Sequence, residues 1–179
     1  MNKLDLSRIQ TASPYDIEEV ANGVYLFETD HDVLYKIEFG EDASIGNCDT
    51  YQFYINNVRH VRAERDTKVK QTVMAVLIEF FRVNAAVVRY VCDTSDGRQR
   101  KRSLLFQRWF QEYDHAEQFT VLFGCIRDED TDNYVGIIVE RTNPKYQSVI
   151  DDFNETLEMF HANKPAYPPH TPTQCPCNH

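Results

Sequence analysis

The sequence has no run of about 18 consecutive apolar residues, the length that a membrane-spanning helix requires. Its first thirteen residues contain no apolar segment of signal-peptide length, so we expect neither a targeting leader nor a membrane partner. The cysteines are odd in number and irregularly spaced: Cys48, Cys92, Cys125, Cys175 and Cys177. Such a set is a poor disulfide framework, so we expect a reducing, cytoplasmic compartment with the first three thiols buried.

Basic residues are also few relative to acidic ones. Nineteen Lys and Arg stand against 28 Asp and Glu, which gives a net charge of −9. This balance argues against nucleic acid as a partner. The hydrophobic share of 42% excludes a collagen-like or wholly disordered chain. The 179 residues suit one globular domain, which would bury roughly 70% of the surface of its unfolded chain.

The N-terminal half is rich in β-branched and aromatic residues that alternate with polar ones. This pattern predicts three strands: residues 24–28, 33–39 and 51–55. A loop containing Gly40 and Gly46 separates the second strand from the third. We predict an antiparallel meander, to which residues 15–20 add a weaker fourth strand.

Later segments alternate between helical and strand patterns. Asp66 and Thr67 supply helix-capping chemistry before apolar residues that recur at three- and four-residue steps. We predict three helices and three strands in this part: helices at 67–84, 98–113 and 144–161, and strands at 86–91, 118–126 and 134–141. The order predicts an α+β fold, a mostly antiparallel sheet flanked by helices.

The chain divides into three parts on this interpretation. Residues 1–13 form an N-terminal arm and residues 14–162 a single α+β domain. Residues 163–179 hold five of the seven prolines, so we expect a Pro-rich flexible tail that is extended unless something binds it.

One segment resembles the signature of a family of small bacterial proteins of unknown function. It reads CDTSDGRQ over residues 92–99 and continues as LFQRWF over residues 105–110. The predicted meander before it and the hairpin after it are also similar to that family. The resemblance implies no activity.

The order of elements between Val24 and Arg141 is similar to the later part of the GNAT superfamily of N-acyltransferases. The resemblance implies a loop before the first long helix that holds the pyrophosphate of acyl-CoA on backbone N–H groups. The matching residues 62–68 contain no glycine, which makes close backbone approach harder. The resemblance also implies a catalytic tyrosine where this chain has Phe106, which has no hydroxyl. It therefore implies a GNAT-like topology without standard catalysis.

The junction between the strand at 86–91 and the next helix is the strongest candidate site. Steps of four, three and four residues join Arg98, Arg102, Leu105 and Trp109, so we predict that both arginines share the inward face of the helix with Leu105 and Trp109. Arg100, Ser103, Gln107 and Gln111 should face water. A buried guanidinium must be paired, and a helix N-terminus favours anions. The predicted ligand-binding residues are Asp93, Ser95, Asp96, Gly97, Arg98 and Arg102.

Two interpretations of this junction stay open. The arginines bind an external phosphate or carboxylate, or Asp93 and Asp96 pair with them and fix the turn. Cys92, beside the junction, is interpreted as a buried thiol rather than a nucleophile. We predict no metal site: the alternating aspartates of 128–132 lack the glycine and glutamate of a calcium loop, and the Cys and His residues of the tail lack zinc-site spacing.

The sequence leaves three functions open and does not decide whether the protein is an enzyme. The first is a non-catalytic or degenerate GNAT-like domain that binds a partner or a small anionic ligand. The second is an acyl-CoA-dependent N-acyltransferase with acyl-CoA as its cofactor. The third is an oligomeric protein-interaction module, such as a homodimer formed through exposed sheet edges.

Overall fold

The structure is a computed structural model that describes residues 1–61, 66–92, 99–128 and 131–162. Within these residues the elements follow in this order: α1 (Leu6–Ala12), β1 (Ile17–Ala21), β2 (Val24–Glu28), β3 (Leu34–Ile45), β4 (Cys48–Asn57), α2 (Thr67–Val83), β5 (Val87–Val91), α3 (Gln99–Gln111), a 3₁₀ turn (Ala116–Gln118), β6 (Phe119–Asp128), β7 (Thr131–Glu140) and α4 (Tyr146–Ala162). The predicted α+β class is confirmed.

The strands form one sheet in the order β1-β2-β3-β4-β5-β7-β6. Its neighbouring strands are antiparallel except β4 and β5, which run parallel and are connected through α2. The helices α1, α2 and α3 cover one face of the sheet and enclose the main core. Helix α4 covers part of the other face over a smaller cluster that includes Val87, Ile137 and Phe153.

The meander is longer than predicted because Gly40 lies within a strand. β3 continues through Gly40 to Ile45, and the connection to β4 is the tight turn at Gly46 and Asn47. Both turn residues have positive φ, 57° each, as two-residue hairpin turns require. A Cβ on Gly46 would also clash with the backbone of Ser148. The predicted loop between these strands is therefore wrong.

Helix α2 begins and ends as its sequence predicts. The Asp66 side chain accepts a hydrogen bond from the Lys68 N–H, and the Asn84 N–H bonds to the carbonyl of Phe80. The predicted core residues Val73, Val76, Leu77 and Phe80 are fully buried. Burial of this stripe against the sheet provides most of the stability of such a helix.

The N-terminal arm contains a helix that the sequence did not predict. Asp5 caps α1 by accepting from the N–H groups of Ser7 and Arg8, and α1 packs against α2. Leu4 and Ile9 are buried in the main core. The residues beyond 162, which include the predicted tail, lie outside the described part of the chain.

Within the described residues, no helix combines the length and the apolar character that crossing a membrane requires.

Candidate functional site

The predicted site lies where β5 ends and α3 begins. The structure describes β5 through Cys92 and α3 from Gln99, so it describes both sides of the junction. Five of the six predicted ligand-binding residues (Asp93, Ser95, Asp96, Gly97 and Arg98) lie outside the described residues. Arg102 is the sixth, and it lies in the first turns of α3.

The face of helix α3 that packs on the sheet is not the predicted face. Ser103, Phe106 and Phe110 are its buried residues, whereas Leu104 and Leu105 are 51% and 47% exposed. The predicted orientation was wrong for Ser103 and for Leu105. The reason is aromatic packing: Phe106 lies 4.5 Å from Tyr90 and 5.5 Å from Phe53, measured between ring centroids, and a buried phenylalanine removes more apolar area from water than an aliphatic neighbour.

Arg102 lies at the border of this buried face. Its side chain is half-buried, whereas Arg100 and Lys101 are exposed. Burial raises the pKa of the nearby Cys92 thiol to about 11, and the positive charge of Arg102 opposes this rise only in part. The thiol is therefore neutral near pH 7, and a neutral thiol is a poor nucleophile.

Tyr90 lies beneath the start of α3. Its ring packs against Phe106 and Phe123, and burial raises the pKa of its hydroxyl well above 10. That hydroxyl has no partner in normal hydrogen-bonding geometry among the described residues. Ser103 lies close enough to lower the pKa of Tyr90 slightly, and its own hydroxyl accepts from Gln107 Nε2 at 3.3 Å.

The close approach of Tyr90 to β7 depends on Gly136. A Cβ placed at this position would lie 2.5 Å from the Tyr90 hydroxyl oxygen, which is far inside van der Waals contact. Sequence reasoning missed Tyr90, Ser103 and Gly136 as members of this site. The available signal was the strand periodicity, since Tyr90 and Cys92 are two residues apart and share a face.

The first turn of α3 is strongly basic. Arg100, Lys101 and Arg102 follow one another, and the turn contains no acidic residue. Among the described residues, the side chains of Arg100 and Lys101 make no ion pair or hydrogen bond. Because the N-terminal end of a helix carries partial positive charge, cations are unfavourable there by about 0.3–1 kcal/mol each.

The start of α2, where the GNAT resemblance implies a pyrophosphate site, contains a carboxylate of the protein itself. Asp66 Oδ1 accepts from the Lys68 N–H at 2.8 Å, and Asp66 Oδ2 accepts from the Tyr15 hydroxyl at 2.5 Å. The Lys68 ammonium pairs with Asp30 at 2.5 Å. Residues 62–65 of this loop lie outside the described residues. A capped helix end with a negative group offers little attraction to a phosphate.

The expected burial of the first three cysteines is confirmed: Cys48, Cys92 and Cys125 are all buried. Within the described ranges, no three His, Cys, Asp or Glu side chains form a group that could hold a metal ion. The tail cysteines and histidines, and residues 129–130 of the acidic turn, lie outside those ranges.

A comparison with protein-family models matches residues 65–155 to DUF6169, a family of unknown function. The match runs from the start of α2 into α4, so it includes β5, the start of α3 and all of the β6–β7 hairpin. No curated protein matches the chain.

Proposed function

The chain belongs to the DUF6169 family, and we propose that its α+β domain binds a small anionic ligand between the end of β5 and the start of α3. The observation that supports this proposal most is the basic first turn of α3. It places Arg100, Lys101 and the half-buried Arg102 at the positive end of a helix, beside a neutral thiol. A phosphate or carboxylate there would offset the repulsion between the helix end and its own cations.

The chemistry of Arg102 supports a phosphate or a carboxylate as the recognised group. A guanidinium offers a planar fork of N–H donors that matches two oxygens of either anion. Arg102 lies partly out of water, where a charge-assisted hydrogen bond is stronger than on an open surface. Backbone N–H groups of a first helical turn have no acceptor within the helix, so they add donors for the same anion.

We propose binding without covalent catalysis. Cys92 has a pKa of about 11 and Tyr90 a pKa well above 10, so both are protonated near neutral pH. A general base needs a pKa near the working pH, and a sulfur nucleophile needs the thiolate. Neither Cys92 nor Tyr90 meets these requirements.

We also propose that the fold is a degenerate GNAT-like one. The support is the order in which the meander is followed by α2, β5, α3 and a closing hairpin. Phe106, at the position where the resemblance implies a catalytic tyrosine, is 8% exposed and packs as a core aromatic.

Thermal unfolding with inorganic phosphate and with citrate tests the ligand site. At a ligand concentration of about ten times its Kd, binding stabilises the folded state by about 1.4 kcal/mol, which is a shift of about 3–6 °C for a chain of this size. Arg102→Gln should lose this shift. Arg108→Gln, which removes an exposed arginine from the last turn of the same helix, should keep it.

Two results would contradict the proposal: no shift of the parent with either anion, or equal shifts in both variants. Calorimetry with coenzyme A addresses the N-acyltransferase alternative. Tight binding that Lys68→Gln weakens and Arg102→Gln leaves unchanged would place the ligand at α2 and favour that alternative.

A further inference from the structure

The two edges of the sheet differ in how readily they accept another strand. β1 is five residues long, contains Glu18 and Glu19, and has a register shift between Glu19 and Ala21. β6 is ten residues long, and its residues 119–126 include no charge and no proline. Short strands, charges and bulges are the features that keep an edge from pairing, so β1 is protected and β6 is not.

The backbone of β6 offers hydrogen bonds on its outer side. The Arg141 N–H donates to the Gln118 carbonyl at 2.8 Å, and the register of β6 and β7 places these two residues opposite each other. Gln118 and Arg141 are therefore a hydrogen-bonded pair, and every second pair after them along the two strands is hydrogen-bonded as well. By this alternation Thr120, Leu122 and Gly124 bond to β7. The N–H and C=O groups of residues 121 and 123 therefore point away from β7, and β6 is the last strand of the described sheet.

Helix α4 brings exposed apolar side chains to the same edge. It begins near Gly46, at the turn between β3 and β4, and reaches the edge strand where Leu157 packs on Gly124. Because it crosses the sheet in this direction, its last turn lies at or beyond β6. There Met159 and Phe160 are each 53% exposed, the largest values among the exposed large hydrophobic residues described.

We propose that two copies of the chain pair through their β6 strands, antiparallel about a two-fold axis, and form one continuous sheet. Such an axis stands perpendicular to the sheet and keeps both α4 helices on the same face. Met159 and Phe160 of each copy then meet the edge of the other.

A second copy is the partner that these observations favour. A two-fold interface uses the same patch on both subunits. The exposed Met159 and Phe160 of one copy therefore meet a patch that contains the same apolar residues of the other. The first eight residues of β6, 119–126, are uncharged, so two chains of net charge −9 align them without opposing like charges. A single foreign strand would satisfy the N–H groups of β6 but would bring no counterpart for Met159 and Phe160. This surface is independent of the ligand site at α3.

Sedimentation velocity of the full-length chain tests the proposal. We expect a dimer of about twice 21.0 kDa that dissociates on dilution from roughly 100 µM. The double variant Met159→Glu, Phe160→Glu should weaken the dimer at least tenfold. Leu104→Glu, a similar change at a 51% exposed residue on α3, should leave it unchanged.

A backbone variant tests the strand pairing separately. Val121→Pro removes one outward N–H donor and no bond to β7, so it should also dissociate the dimer. If circular dichroism shows that this variant fails to fold, the double variant Met159→Glu, Phe160→Glu alone tests the dimer. A parent that is monomeric near 100 µM overturns the proposal. So does a dimer that survives the α4 change, or one that Leu104→Glu disrupts equally.

Discussion

Glu79 carries a buried charge that connects the N-terminal segment to α2, and its removal tests how the fold is held together. Its carboxylate is 4% exposed and accepts four contacts: the Asp5 N–H at 2.9 Å, Arg82 Nε at 2.6 Å, Arg82 Nη2 at 2.7 Å and Arg8 Nε at 3.4 Å. A carboxylate buried this far is stable only because these donors replace its water.

Glu79→Gln keeps the shape of the side chain but removes the charge and presents N–H donors where acceptors are needed. Hydrogen bonds to charged groups contribute about 1.5–3 kcal/mol each. The Arg82 and Arg8 side chains are 43% and 61% exposed, so water rehydrates both cations when the carboxylate is lost. We therefore expect a net loss of about 2 kcal/mol, or about 4–8 °C in Tm for a chain of this length.

The pH dependence has a definite sign. Hydrogen bonds from Arg82, with the Asp5 N–H and the charge of Arg8, hold the pKa of Glu79 below its ordinary 4.5. The unfolded state then binds a proton at a higher pH than the folded state does. The stabilisation is complete above about pH 4.5 and is lost as pH falls through the folded-state pKa. In Glu79→Gln this part of the dependence should vanish.

Urea unfolding followed by circular dichroism, near pH 7 and near pH 4, measures both effects. Glu155→Gln is the matched control, because Glu155 is exposed on α4 and makes no ion pair among the described residues. Hydrogen exchange of residues 1–12 should accelerate in Glu79→Gln only. Equal stability of the two variants near pH 7, or a pH slope that Glu79→Gln leaves unchanged, would refute the reasoning.

Two further predictions concern the site. Gly136→Ala should destabilise the fold by about 1–3 kcal/mol, because its Cβ would clash with the buried Tyr90 ring. Gly40→Ala is its control: there the nearest atom, on Tyr54, is 3.7 Å away, so urea unfolding should change little and a comparable loss would contradict the packing argument. Iodoacetamide near pH 8 should leave Cys92 unmodified in the folded protein, since the thiol is 6% exposed with a pKa of about 11, and mass spectrometry showing labelling at the rate of a free thiol would contradict its burial.

Elements with strong local signals were predictable from the sequence. Helix α2 combines a capping aspartate, a one-sided apolar stripe and no internal glycine or proline, and its bounds were confirmed within one residue. Helix α1 was not predictable because it has seven residues and only Ile9 buried. A helix this short is marginal alone. It depends on contacts such as that between Asp5 and Glu79, which are 74 residues apart.

The orientation of α3 shows where periodicity fails. Apolar residues occur on more than one side of this helix. Spacing alone could therefore not decide whether the face with Leu105 or the face with Ser103 and Phe110 is buried. The choice depends on Tyr90, Phe53 and Phe119, which offer aromatic surfaces from three separate strands. The sequence identified the junction between β5 and α3 as a candidate because strand-to-helix junctions carry helix N-termini. It did not identify the buried polar side chains beside that junction, Tyr90 and Ser103.

The parallel contact between β4 and β5 explains why the two candidate anion sites can be compared directly. Parallel strands end at the same edge of a sheet, so the helices that follow them, α2 and α3, both begin there. At α2 the positive helix end is balanced by Asp66, and Lys68 is neutralised by Asp30. At α3 the first turn adds three cations and no acid. On the proposed function an anion that reaches this edge binds at α3 rather than at α2, the opposite of what the GNAT resemblance implies, so Arg102→Gln should reduce its binding more than Lys68→Gln.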